Sequence, residues 1–162
     1  MAASTEKSVE VTAIDAGTTL DTTDLAGRVR VAYFTHTWVE ATDLDAGSSV
    51  ALVKLPAGRV RLLASLSKAY VNWTTASQTL DLGWDAYTDI DGTAVAADPD
   101  GLDDGLDVDA VGYQTFGNVA ALLLTGGAKE FESQDGVTIR ATCTEAMVVG
   151  DDICGAFLYV VD

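Results

Sequence analysis

A chain of 162 residues with 25 acidic and 9 basic side chains has a formal net charge of -16 and is long enough to bury one sizeable core. A field of that sign repels phosphate backbones and anionic lipid headgroups, which argues against direct nucleic-acid or membrane-surface binding. Apolar residues make up 48% of the chain and charged residues 21%, with no apolar run of membrane-spanning length, so the composition is that of a soluble globular module.

Residues 1–27 are rich in Ser, Thr, Ala, Asp and Gly and hold one short apolar alternation, Val9, Val11, Ala13 and Ile14. They predict an extended arm that needs a surface to lie against. The first residues, Met1 to Lys7, lack the apolar core of a secretory signal, so synthesis and folding in a cytoplasm are expected.

At Arg28 the pattern turns to period two. Val29, Val31 and Tyr33 alternate with Arg28, Arg30 and Ala32, and β-branched and aromatic residues continue to Val39, which predicts a long strand. The apolar runs Val50 to Leu55 and Arg59 to Leu66 flank Pro56-Ala57-Gly58, whose turn chemistry predicts a hairpin. Gln78 to Trp84 puts Leu80, Leu82 and Trp84 on one face and Thr79, Asp81 and Gly83 on the other, the signature of a half-buried strand.

The acidic, turn-rich stretch from Asp85 to Gly112 predicts a surface excursion, with at most a short helix near Leu102 to Val111. Phe116 to Leu124 fits a strand or a short helix, and a strand is favoured. Gln134-Asp135-Gly136 is a hairpin-type turn between Phe131-Glu132-Ser133 and Val137 to Cys143, and Ala156 to Val161 is a closing apolar strand. About eight strands result, with no sustained helical period. Two antiparallel sheets packed face to face are the economical architecture, and the jelly roll is its eight-stranded form.

No chemistry assembles from these residues. His36 is the one histidine, sits within a predicted strand and reads as structural, and a multi-histidine metal site is impossible. The segment Asp98 to Asp109, with Asp89-Ile90-Asp91-Gly92 nearby, offers oxygen ligands of the kind calcium takes. The EF-hand spacing is absent, however, and a solvated loop is favoured over a bound ion. Cys143 and Cys154 match no zinc or redox spacing, and two buried thiols are favoured over a bridge. Tyr70, Trp73, Trp84 and Tyr87 cluster around one strand, where they suit core packing or a sugar-binding surface. The expectation is no enzyme and no catalytic, metal-binding or cofactor-binding residues.

The succession Gly27-Arg-Val-Arg-Val, Leu55-Pro-Ala-Gly-Arg-Val-Arg-Leu-Leu, Thr79-Leu-Asp-Leu-Gly-Trp, Asp91-Gly-Thr, Phe131-Glu-Ser-Gln-Asp-Gly-Val-Thr-Ile and Leu158-Tyr-Val-Val-Asp resembles capsid decoration, or cement, proteins of tailed bacteriophages. The resemblance covers Gly27 to Asp162 and rests on packing and turn patterns. It implies an all-β fold, an eight-stranded jelly-roll-like β-sandwich over residues 28–162 with an extended N-terminal arm over residues 1–27. It further implies a head-stabilising virion protein, often a homotrimer, made in the host cytoplasm. Such a protein sits on the outer capsid surface and clamps neighbouring major capsid proteins. The competing reading is a carbohydrate- or receptor-binding β-module of a phage tail or fibre.

Overall fold

The computed structural model describes residues 28–39, 46–73 and 77–161. The predicted arm, residues 1–27, lies outside the described residues.

The described residues form two antiparallel sheets and a small hairpin. The first sheet is organised around β12 (Asp152–Val161). On one side β12 pairs along its length with β1 (Arg30–Thr37). On the other it pairs first with β4 (Lys68–Asn72) and then with β3 (Gly58–Leu62). Beyond these lie β9 (Gly112–Thr115), paired with β4, and β10 (Lys129–Ser133), paired with β3. The second sheet runs β2 (Ser49–Leu55), β11 (Val137–Cys143), β5 (Thr79–Trp84), β8 (Asp98–Asp107). The hairpin joins β6 (Tyr87–Thr88) to β7 (Ala94–Val95).

Counting β3 with β4, and β9 with β10, as two interrupted strands reduces the two sheets to eight strands in chain order. The first sheet then reads 1-8-3-6 and the second 2-7-4-5, which is the strand order of a jelly roll. The fold is an all-β jelly-roll sandwich.

The interruptions match each other. One 3₁₀ turn, Ala64–Leu66, separates β3 from β4, and the short helix α1 (Ala120–Leu124) separates β9 from β10. Opposite the break β12 would lose ladder partners. Leu63 N–H donates to the Leu158 carbonyl at 2.8 Å, and Leu158 N–H donates to Ser67 Oγ at 3.0 Å. Ser67 in turn donates to the Leu63 carbonyl at 2.9 Å and is fully buried, so the gap leaves these backbone groups satisfied.

The core fills the space between the sheets. Phe157 lies at its centre, 5.1 Å from the Phe34 ring and 5.3 Å from the Phe116 ring. Leu80, Leu82 and Trp84 face inward as the alternation predicts. Gly155, opposite Phe34, allows close approach: a Cβ there would fall 2.3 Å from the Lys68 carbonyl oxygen and 2.8 Å from the Phe34 ring.

Four sequence expectations are corrected. Pro56-Ala57-Gly58 does not close a hairpin, because β2 and β3 belong to different sheets; Leu55 pairs with Val137 and Leu62 with Lys129 and Tyr159. Gln134-Asp135-Gly136 likewise carries the chain from β10 in one sheet to β11 in the other. Both turns are tight corners, and local turn chemistry does not record which sheet the next strand joins. Phe116 to Leu124 contains α1 and no strand, since its backbone bonds close locally, with Leu123 N–H on the Val119 carbonyl. Asp85 to Gly112, expected as a surface excursion, contains β8, a ten-residue strand bordering the second sheet. Its inward Leu102 and Leu106 supply the burial that outweighs the low strand preference of Asp and Gly.

Replacing Phe157 with alanine removes the ring around which Phe34 and Phe116 pack and should cost about 3–5 kcal/mol in chemical denaturation. Leu124→Ala, at an exposed position on α1, should stay within about 0.5 kcal/mol of the parent.

Candidate binding surface

The outer faces of the two sheets differ in chemistry. On the second sheet the solvent side carries Thr79 and Asp81 of β5 and Thr138, Arg140 and Thr142 of β11. Arg140 donates to both carboxylate oxygens of Asp85, at 2.6 and 2.8 Å, and to Ser49 Oγ at 3.2 Å. This hydrogen-bonded pairing holds the Asp85 carboxyl below the usual carboxylate range.

Where it is built from β1, β12, β4 and β9, the first sheet turns a weakly charged, aromatic face outward, whereas β3 and β10 carry the ion pairs Arg59–Glu132 and Arg61–Glu130. Strand register places Thr35 of β1, Cys154 of β12, Tyr70 of β4 and Tyr113 of β9 in one cross-strand row, and Tyr33, Ala156, Lys68 and Thr115 in the next. Paired residues share a face, so all eight side chains stand on the solvent side. Tyr33 is 81% exposed and Tyr113 80%, while Cys154 and Ala156 between the flanking strands are small. The result is a trough floored by small side chains and flanked by tyrosines. Two hollows, of about 610 and about 400 Å³, share Lys68, Cys154 and Gly155 along it. The Tyr70 and Tyr113 rings meet edge-on at 5.3 Å on one side. Lys68 is the one charged residue among those lining both hollows. At the lower end Val31 and Val29 continue the apolar row, both exposed.

Of the residues the sequence analysis singled out, Tyr70 and Cys154 lie here. A signal was present: from Val31 to Phe34 the chain is apolar on both faces of one strand, while only one face of an outer-layer sheet meets the core. The alternating set Val29, Val31 and Tyr33 faces solvent, whereas Phe34 is the core residue.

The other singled-out residues fall elsewhere. His36 lies on β1, half-buried, its ring edge-on to Trp38 at 4.6 Å, and Trp38 meets Trp73 at 5.3 Å. Trp73 and Trp84 are buried, so neither forms part of a sugar-binding surface; Lys129 covers the Trp84 ring at 4.5 Å. The pair of buried thiols is corrected too. Cys143 is buried, with its thiol pushed up to about 12 chiefly by burial, while Cys154 is exposed and both are free. They sit on strands of different sheets.

Two carboxylates of the acidic stretch, Asp103 and Asp107, accept from backbone donors. Asp103 is fully buried and accepts N–H bonds at Oδ2 from Gly117, at 3.0 Å, and Asn118, at 3.4 Å, which anchors the turn before α1. Asp81 accepts from Gly105 N–H, and Asp107 from Asp109 N–H. Among the described residues no three potential metal-ligating side chains converge.

No family model matches this chain, and no curated protein sequence does. Solved structures similar to it include a chain of the cyanophage Pam1 capsid asymmetric unit, 12% identical with a TM-score of 0.49 over 84% of this chain and 86% of that one. Another is the VP2 subviral particle of infectious bursal disease virus, 13% identical with a TM-score of 0.47 over 89% of this chain and 35% of that one. The chain thus spans about a third of the VP2 chain. Likenesses of this size decide neither function nor partner.

Burial raises the Asp103 carboxyl above its ordinary range, against the lowering effect of the N–H bonds from Asn118 and Gly117. A raised folded-state value means that the group's contribution to stability is present at low pH and declines as pH rises through that value. Asp103→Asn keeps an oxygen for the two donors and carries no charge. Its stability relative to the parent should therefore increase between about pH 4 and pH 7 by thermal melting. Asp103→Ala strands two N–H donors and should cost about 1–3 kcal/mol at either pH.

Proposed function

We propose that this protein is a non-enzymatic structural component of a bacteriophage virion, a decoration protein that binds the outside of the head and braces neighbouring major capsid proteins. The observation that carries the binding half of this reading is the trough on the outer face of the first sheet. In a chain of net charge -16, a trough lined by tyrosines and small side chains with Lys68 as its one charge suits a protein surface. Exposed tyrosines supply large contact area for little lost side-chain freedom. The step from protein-binding module to capsid rests on the family resemblance of the sequence. A jelly-roll sandwich suits the role because its rigid sheets hold such a face in shape.

The acidic remainder of the surface fits an outward position, away from packaged nucleic acid. Residues 1–27 supply a second contact in this proposal, laid along a neighbouring subunit, and a homotrimer would present three such contacts at once and raise avidity.

Particles produced by the genome that encodes this chain provide the test. Sedimentation with purified heads should show the protein bound at stoichiometric levels, with density on the outer shell. Tyr33→Asp combined with Tyr113→Asp should weaken that binding at least tenfold without lowering the melting temperature, since both rings are solvent-exposed. Heads lacking the protein, or unchanged binding by both this double variant and a chain without residues 1–27, would refute the proposal.

A further inference from the structure

The shape of the trough selects its occupant. Its floor is β12, whose residues Ile153 to Ala156 pair with β1 on one side and β4 on the other. Their ladder bonds lie in the plane of the sheet, and none points into the trough. The walls rise from β1 and β4, two strand spacings or about 10 Å apart. A helix with its side chains is about 10–12 Å across, too wide for that floor with Tyr33 standing at one wall and Tyr70 with Tyr113 at the other. A single extended chain fits.

The lining restricts the chemistry of that chain. The polar side chains at the two hollows are the tyrosines, Thr35, Cys154 and Lys68. A segment laid there as an ordinary strand brings one N–H per residue, and every N–H covered without a partner opposes binding. Proline brings none, and its polyproline II form is extended before it binds. Aromatic-lined grooves are the surfaces on which such segments dock.

Lys68 sets the remaining requirement. It lines both hollows and stands in the row of Tyr33 and Ala156, midway between the rows of Cys154 and Leu158. From Cys154 to Leu158 is four residues of strand, about 13 Å at about 3.3 Å per residue. Four residues of polyproline II, at about 3.1 Å each, run about 12 Å. A carboxylate near the middle of such a segment meets the ammonium group. A second copy of the chain fits less well, because two bodies of net charge -16 repel each other.

We infer that the trough takes an extended, proline-rich segment of another protein that presents one carboxylate to Lys68. This occupant rests on the reading of the trough as the shell contact, and it specifies what the shell offers there: a proline-rich loop or terminus carrying Glu or Asp.

Fluorescein-labelled peptides provide the test on the full chain: Ala-Pro-Pro-Glu-Pro-Pro-Ala, the same peptide with lysine for glutamate, and the same with alanine for every proline. Anisotropy titrations to about 1 mM should show the first bound at least tenfold more tightly than either control. In Lys68→Glu the order of the glutamate and lysine peptides should reverse. Tyr33→Ala with Tyr113→Ala should weaken the first peptide at least tenfold at an unchanged melting temperature, because both rings are exposed. Saturating peptide should also slow maleimide labelling of Cys154, which is exposed in the trough, while buried Cys143 stays unlabelled. No binding of the first peptide at the upper limit, equal binding by either control, or a preference that Lys68→Glu leaves unchanged would overturn the inference. Protection of Cys154 without peptide that deepens with protein concentration would also overturn it and identify a second copy as the occupant. Head sedimentation is read separately. Heads that bind the chain while the peptides do not would remove this occupant alone, whereas heads that fail to bind it refute the virion role whatever the peptides do.

Discussion

The pairing of β12 with three other strands is the constraint on which the rest of the molecule depends. Its ten residues serve β1 on one side and β4 and then β3 on the other, so one strand aligns both ends of the first sheet. The same strand places Phe157 at the centre of the core and Cys154 and Ala156 on the opposite face. Because side chains alternate with period two, a shift of one residue in its register would exchange these sets and put an aromatic ring into solvent. Gly155 tightens the constraint, since the space a Cβ would need is taken by the Lys68 carbonyl and the Phe34 ring.

The interruption between β3 and β4 is absorbed by side-chain chemistry. Ser67 replaces a missing ladder partner for Leu158, and the opposing break at α1 follows the same line across the sheet, where Ser65 N–H donates to the Gly127 carbonyl at 3.0 Å. Asp103 anchors the approach to α1 from the other sheet. These contacts carry the sheet across the breaks without leaving the backbone groups they serve unsatisfied.

The distribution of charge follows from the same architecture. Asp103 and Asp107 of the acidic stretch bond backbone donors and Asp85 bonds Arg140, while the outer face over β1, β12, β4 and β9 carries small and aromatic side chains around Lys68. A surface that is strongly negative overall but nearly neutral over one sheet face directs association to that face, since like charge opposes contact elsewhere.

Read alone, the sequence determined the all-β class, the two-sheet sandwich and the inward row Leu80, Leu82 and Trp84, because period two is a local property. It misassigned both corner turns, because Pro56-Ala57-Gly58 and Gln134-Asp135-Gly136 have the chemistry of a bend whichever sheet follows. It missed β8 because Asp and Gly disfavour strands in isolation, and only pairing with β5 and burial of Leu102 and Leu106 reverse that preference. The outer aromatic face was hidden for a related reason. Tyr33, Cys154, Tyr70 and Tyr113 lie far apart in the chain, and only the register of β1, β12, β4 and β9 brings them to one surface.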